Sequence, residues 1–180
     1  NQGHLGLDRG FTGLGTNAKL MWDRVGPEVE PFSPDNLLVF GTGLLAGTPA
    51  PGCNRTIVSC ISPQTRLLAF SMMGGFFGPE LKRAGYDGLV ITGKAARPVW
   101  LSVVGGRAEL CSAIDLWGLD AYATQDRVRE QLNAPRARVA CIGVAGERRC
   151  KMAAVMNDHG RAAGRTGMGA VMGAKKLKAI

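Results

Sequence analysis

The amino-acid sequence predicts an α+β fold in which short strands and short helices form two related halves. Short apolar runs bounded by Gly, Pro and Asn indicate buried strands, and helical periodicity is confined to short stretches. Glycine is frequent, with 26 residues in a chain of 180. Turns therefore follow one another closely, and the elements that they connect are predicted to be short.

The first half of the chain predicts two helices and a set of four strands. Thr16 or Asn17 can cap the first helix, which Gly26-Pro27 ends. The second helix stops before Gly85, because glycine favours the position just beyond a helix end. The predicted helices cover 18–25 and 77–84, and the predicted strands cover 37–40, 55–61, 67–72 and 88–92.

The second half predicts a hairpin, a longer helix and three further strands. Gly105-Gly106 supplies the hairpin turn. Acidic and basic side chains alternate along the longer helix, so one of its faces is expected to be solvated. The predicted strands cover 98–104, 108–111, 138–143, 151–156 and 178–180, and the predicted helices are 121–132 and a short one after Thr166.

Two parts of the chain share an order of elements, which indicates an internal duplication. One part runs from Leu37 to Ile91 and the other from Val139 to Ile180. In each, strands and a glycine turn lead to a Gly-rich loop, which opens a short helix that leads into a last strand. Such a duplication predicts two related loops on one side of a pseudo-twofold assembly, an arrangement that suits a ligand with two similar halves.

The segment from Asn157 to Gly173 contains five glycines and two arginines, Arg161 and Arg165. Glycine allows another group to approach the backbone closely. The planar guanidinium of arginine is suited to phosphate. The segment therefore predicts a loop for a phosphate or a cofactor. The other interpretation is a close-packed junction of helix and sheet, with the arginines on the surface.

The net charge of +8 lies entirely in the last quarter of the chain. Residues 1–135 carry twelve basic and twelve acidic side chains, whereas residues 136–180 carry ten basic and two acidic ones. This asymmetry predicts an anionic partner, which is a phosphorylated cofactor, nucleic acid or an acidic face of the remaining polypeptide. Aromatic residues are only 6% and do not alternate with the basic ones, which argues against a nucleic-acid stacking surface.

The remaining candidates carry weaker signals. The glycine pattern matches neither the P-loop nor the dinucleotide-binding motif. His159 beside Asp158 is a candidate acid–base pair, or an ordinary pair of loop residues.

The five cysteines form no C-x-x-C pair, so they predict reduced thiols, most of them in the core. The chain shows no signal peptide and no apolar run long enough for a membrane helix, so we expect a cytoplasmic protein. Because it lacks an initial Met and stops in what resembles the start of a strand, we expect a fragment of a longer protein.

Four segments resemble the N-terminal domain of the aldehyde:ferredoxin oxidoreductase family, whose members contain tungsten or, in some cases, molybdenum. The most specific is the string Arg-Ala-Ala-Gly-Arg over 161–165, continued by Gly-Ala-Val-Met-Gly over 169–173. The resemblance runs from end to end in the same order. Its segments are Ser62-Pro63, 74–87, 142–147 and 156–173.

This resemblance implies a saddle-shaped domain, over 1–180, beneath a metal that two pterin dithiolenes hold. It implies a magnesium ion that bridges the pterin phosphates through the backbone carbonyls of Met72 and Ala162. The residues implied to contact the pterins and their phosphates are Arg55, Met72, Gly74, Gly75, Arg161, Ala162, Gly164 and Arg165.

The family implies oxidation of an aldehyde to a carboxylate, with electrons passed to an iron–sulfur cluster and on to ferredoxin. The cluster, a 4Fe-4S centre, and the catalytic groups are expected in later domains, so this segment alone is expected to be inactive. The implied partners are those domains, ferredoxin or another iron–sulfur carrier, and a second copy of the chain, with neither nucleic acid nor a membrane span.

Two alternatives stay open. Segments 16–25, 28–34, 52–56 and 71–75 look closer to the active-site subunit of tungsten-dependent benzoyl-CoA reductases, which implies reduction of an aromatic ring. The other alternative is a basic phosphate-binding module without enzymatic activity.

Overall fold

The first repeat forms a four-stranded antiparallel sheet. The computed structural model describes residues 13–180. Strands β1 (Leu38–Thr42), β2 (Thr56–Ile61), β3 (Leu68–Met73) and β4 (Gly88–Ile91) lie in the order β3-β2-β1-β4. Helix α2 (Phe77–Arg83) connects β3 to β4, and Gly85 follows it with a φ of 91°. The helix end is therefore as predicted. Helix α1 (Leu14–Arg24) precedes β1 and packs its buried Leu20 and Met21 against this sheet.

The second repeat has the same topology on a smaller scale. Strands β7 (Ala140–Cys141), β8 (Val155–Asn157) and β9 (Arg161–Ala163) lie in the order β7-β8-β9, and helix α5 (Met168–Ala174) follows β9. Residues 177–180 then pair antiparallel with β7, since Ala140 and Ile180 exchange two backbone hydrogen bonds of 2.9 and 2.8 Å. The order of the four segments matches that of the first repeat, so the predicted duplication and the α+β class are confirmed.

A hairpin and a helix pack against the second repeat. Strands β5 (Val99–Val104) and β6 (Arg107–Ser112) are joined by Gly105 and Gly106, with φ values of 58° and 77° that glycine adopts without strain. The amide of Lys178 donates to the carbonyl of Val99 over 2.8 Å, which attaches the hairpin to residues 177–180. Helix α3 (Ala121–Gln131) begins at Asp120, whose carboxylate caps it, and α4 (Val144–Glu147) follows β7.

Both repeats contribute to one hydrophobic core. Phe40, Val58 and Met73 from the first repeat pack with Ile142 and Met168 from the second, and all five are fully buried. The core thus fixes the two repeats against each other, which determines where their equivalent loops lie.

Three sequence-based assignments are wrong. Asn17 does not cap α1, because its side chain is buried and donates to the carbonyl of Ile57 and the hydroxyl of Ser59 over 3.0 Å each. Residues 151–154 are not strand, and β8 starts at Val155. In the Gly/Arg segment the predicted short helix is present as α5, but the strand β9 was not predicted. Gly160 and Gly164 flank β9 and weaken the sequence signal for a strand, so β9 is not recognised from the sequence.

The cysteines are less buried than predicted. Only Cys60 and Cys141 are in the core, Cys150 is exposed, and all five are free thiols. Burial raises the pKa of both Cys60 and Cys141 to about 12, because the apolar surroundings disfavour the thiolate.

We therefore expect Cys60 and Cys141 to resist alkylation in the native full-length protein at pH 8. Only the thiolate reacts, and these two groups stay protonated there. Mass spectrometry after iodoacetamide treatment measures each site, with exposed Cys150 as the internal reference and unfolded protein as the positive control. Fast labelling of Cys60 or Cys141 without unfolding would contradict the buried placement.

Within residues 13–180, no helix is long and apolar enough to cross a membrane.

Candidate functional site where the two repeats meet

The equivalent glycine loops lie at the ends of two edge strands. β3 is the edge of the first sheet and leads into Gly74-Gly75, and β9 is the edge of the second and leads into Gly164. Asn157, at the end of β8, donates from its side-chain amide to the carbonyl of Gly74 over 3.3 Å. The first glycine loop therefore lies against the β8–β9 turn of the second repeat, at the junction of the repeats.

Gly74 and Gly164 have no structural reason to be glycine. Neither has a φ in the left-handed region, and Gly164 has φ −85° and ψ −61°, which any residue adopts. A Cβ at either position would find no protein atom of the described part within 4 Å. Both backbones therefore face open space, as expected where a ligand approaches.

The later glycines of the Gly/Arg segment serve packing instead. A Cβ on Gly169 would lie 2.4 Å from the carbonyl oxygen of Ala154, and one on Gly173 would lie 2.0 Å from that of Gly146. Gly167 needs its φ of 77° and abuts the carbonyl of Lys151. The interpretation as a close-packed junction therefore holds for the glycines from 167 onward, whereas Gly164 faces open space.

Met72 and Ala162 occupy equivalent positions, two residues before Gly74 and Gly164. Met72 pairs with Ile57, and Ala162 pairs with Met156. Both lie on edge strands, which have one side without a sheet partner in the described part. Carbonyl oxygens on such an edge are ligands of the type that magnesium accepts.

The three candidate arginines are exposed; Arg55 and Arg161 lie near Gly74, and Arg165 directly follows Gly164. Arg55 directly precedes the Thr56–Met73 pair, so continuation of the register brings it opposite Gly74. Arg161 pairs with Asn157, whose side chain bonds to Gly74. Within residues 13–180 the arginines that form ion pairs are Arg66, Arg83, Arg127, Arg129 and Arg138. Arg55, Arg161 and Arg165 are not among them, which leaves their charges available to an anion.

The predicted pairing of Asp158 with His159 is not observed. The His159 ring lies 3.1 Å from a carboxylate oxygen of Asp126 and 3.0 Å from Arg129, on the surface of α3. The Asp158 carboxylate instead accepts a hydrogen bond of 2.6 Å from the amide of Phe76, at the start of α2, and one of 3.0 Å from Arg138. No local pattern indicates this contact with residue 76, which is 82 positions away along the chain.

Part of the charge excess is structural. Lys175 is buried and donates to the carbonyls of Pro34 and Gly93 over 3.0 Å each. Burial lowers the pKa of Lys175 to about 8. Lys178 is fully buried against Glu147, and Arg138 pairs with Asp158. Fewer basic side chains are therefore available to bind an anion than the net charge of the sequence indicates. Arg55, Arg161 and Arg165 are among those that remain available.

The duplicated sheets are those of the N-terminal domain of a class of oxidoreductases. The chain belongs to the aldehyde ferredoxin oxidoreductase family, whose N-terminal domain matches residues 6–180. It is 47% identical over 154 residues to the tungsten-containing aldehyde ferredoxin oxidoreductase of Pyrococcus abyssi, which is 86% of this chain and 25% of that protein. It is 44% identical over 161 residues to the Pyrococcus furiosus enzyme of the same name, with 89% and 27% covered.

A solved structure shows the same fold. The BamBC active-site complex of benzoyl coenzyme A reductase with 1,5-dienoyl-CoA matches with a TM-score of 0.91 and 56% identity. The match covers 93% of this chain and 26% of that chain. The chain thus spans about a quarter of the length of its relatives.

Proposed function

We propose that residues 1–180 form the N-terminal domain of a longer oxidoreductase and bind the two pterins of a tungsten or molybdenum cofactor. The observation that carries this proposal is the pair Gly74 and Gly164. They are equivalent in the two repeats, and the backbone at each faces open space. Neither close packing nor the backbone conformation requires glycine at these two positions. A twofold organic cofactor explains why the same feature recurs in both repeats.

The residues around the loops suit that group. Arg55, Arg161 and Arg165 would hold phosphates through charge-assisted hydrogen bonds. The backbone carbonyls of Met72 and Ala162 would bind a magnesium ion, and Gly75, whose φ of 93° favours glycine, would set the turn of the first loop. When bound, the cofactor supplies electron transfer between the substrate and an iron–sulfur cluster. This chain's own residues grip and orient it.

For the whole protein we propose oxidation of an aldehyde to a carboxylate, with electrons passed through a 4Fe-4S cluster to ferredoxin. The names of the Pyrococcus relatives support this assignment. The cluster ligands, the catalytic acid–base groups and the partner surface would lie in domains beyond these residues, and we place the protein in the cytoplasm.

The second candidate is ring reduction of an aromatic acyl-CoA. It is favoured by the 56% identity to the benzoyl coenzyme A reductase complex, against 47% to the P. abyssi enzyme. Assays of the full-length protein separate the two. Dye reduction with aldehydes supports the first candidate, and reductant-dependent loss of benzoyl-CoA supports the second. Absence of both tungsten and molybdenum from the purified protein would remove both candidates.

We expect Arg161→Ala in the full-length protein to lower tungsten and pterin content severalfold. The variant removes a forked cation from the phosphate site and leaves the fold intact, because the side chain is exposed. Elemental analysis and fluorescence of the oxidised pterin measure the loss. Arg127→Ala, which removes an exposed arginine from α3, is the matched control and should keep full content. Wild-type cofactor content in the Arg161 variant would contradict the assignment.

A further inference from the structure

Each repeat supports the glycine loop of the other through the turn between its second and third strands. The turn between β8 and β9 contains Asp158, which bonds to the amide of Phe76 directly after Gly74-Gly75. The turn between β2 and β3 contains Ser62, whose hydroxyl donates to the carbonyl of Thr166 over 2.8 Å. Thr166 lies just after Gly164, so the two contacts are equivalent under the duplication.

The contact made by Asp158 is tight and shielded. Its side chain is 10% exposed, and it adopts a φ of 43°, a left-handed conformation that aspartate tolerates better than most residues. Gly75 has a φ of 93°, and a Cβ on it would lie 2.3 Å from the nearer Asp158 carboxylate oxygen. Arg138 bonds to the other oxygen, and its guanidinium lies 4.8 Å from the centre of the Phe76 ring. The carboxylate is thus fixed from both sides.

The contact made by Ser62 is equally enclosed. Ser62 is fully buried, and its oxygen also accepts hydrogen bonds from the amides of Gln64 and Thr65. Its neighbour Pro63 would lie 2.7 Å from a Cβ on Gly167. Thr166 has a φ of 74°, which is costly for a β-branched residue and persists only where the surroundings hold it. The hydrogen bond from the Ser62 hydroxyl to the carbonyl of Thr166 stabilises this conformation.

We propose that Asp158 and Ser62 are positioning residues, each of which sets the loop of the opposite repeat, so that the two halves of the cofactor site depend on each other. This inference rests on the proposed cofactor role of the loops. Neither residue need touch the cofactor. Each acts through the loop that it supports, so loss of one support should appear in the loop of the distant repeat.

The test compares variants of the full-length protein by hydrogen exchange and by cofactor content. Asp158→Gly keeps the left-handed backbone and removes the acceptor, whereas Asp158→Asn keeps both. We expect Asp158→Gly to speed exchange of the Phe76 amide about tenfold, since a hydrogen bond to a charged group is lost. Exchange over 167–169 should stay unchanged. Asp158→Asn should restore most of the protection.

Ser62→Ala should give the opposite pattern, with faster exchange over 167–169 and unchanged exchange at Phe76, and Ser62→Thr should restore it. Both Asp158→Gly and Ser62→Ala should retain less tungsten and pterin after dialysis than the wild type. Unchanged exchange in the distant loop, or faster exchange with full cofactor retention, would overturn the positioning role. Failure of the proposed function is distinguishable, because it would appear as wild-type protein without pterin.

Discussion

Replacement of Gly173 by alanine is expected to destabilise this domain strongly. The new Cβ would lie 2.0 Å from the carbonyl oxygen of Gly146 and 2.6 Å from its carbonyl carbon. Both are backbone atoms, which no change of rotamer can move. α5 and α4 would have to separate, and α5 is buried along its whole length within the shared core. Overpacking costs about 1–3 kcal/mol or more, and this contact should lie at the upper end despite alanine's better helix propensity.

The measurement is soluble yield and the thermal unfolding midpoint of the full-length protein. Gly164→Ala is the matched control, since the same substitution there places a Cβ in open space with an ordinary backbone conformation. That variant should keep the wild-type yield and lose cofactor. A Gly173 variant with wild-type yield and midpoint would show that the α4–α5 packing is wrong.

Replacement of Glu147 by alanine is the second change with a large expected effect. Its side chain is 5% exposed and forms an ion pair with Lys178, whose side chain is 0% exposed. The carboxylate also accepts from the amide of Gly118 over 2.9 Å, and Lys178 donates to the carbonyl of Leu119 over 2.7 Å. Removal of the carboxylate strands a buried cation and should cost about 3–5 kcal/mol.

The double variant Glu147→Gln with Lys178→Met separates charge from packing. Glutamine can still accept from the Gly118 amide, and methionine removes the stranded charge. Chemical unfolding of the full-length protein should show the double variant to be more stable than Glu147→Ala, because the two sites are coupled. If Glu147→Ala matched the wild type in stability, the ion pair would not be buried as the structure has it.

The predictions that held rest on local signals. Apolar runs between turn residues located most strands to within two residues, and Gly105-Gly106 and Gly85 marked their turn and helix end correctly. The order of these elements was enough to predict the duplication. The predictions that failed depend on partners far along the chain, as with Asn17, which bonds to β2 instead of capping α1.

The candidate site shows the same division. Sequence resemblance nominated Gly74 and Gly164, and the structure shows both open to approach. Residue type and apolar patterning alone do not distinguish them from Gly169 and Gly173, because identical residues differ only in which atoms face them. Asp158 was noticed beside His159, yet its partners are Phe76 and Arg138. Contacts of this range leave no periodic trace in a single sequence.

The sequence by itself determined the fold class, the repeat, the family and the chemical type of the residues around the loops. These follow from turn chemistry, apolar patterning and a specific string of residues, all of which are local. Only the tertiary structure decided which glycines are open, which arginines are unpaired, and that each repeat supports the other's loop. Those properties depend on the shared core, because packing alone brings residues 62 and 166, or 76 and 158, within hydrogen-bond distance.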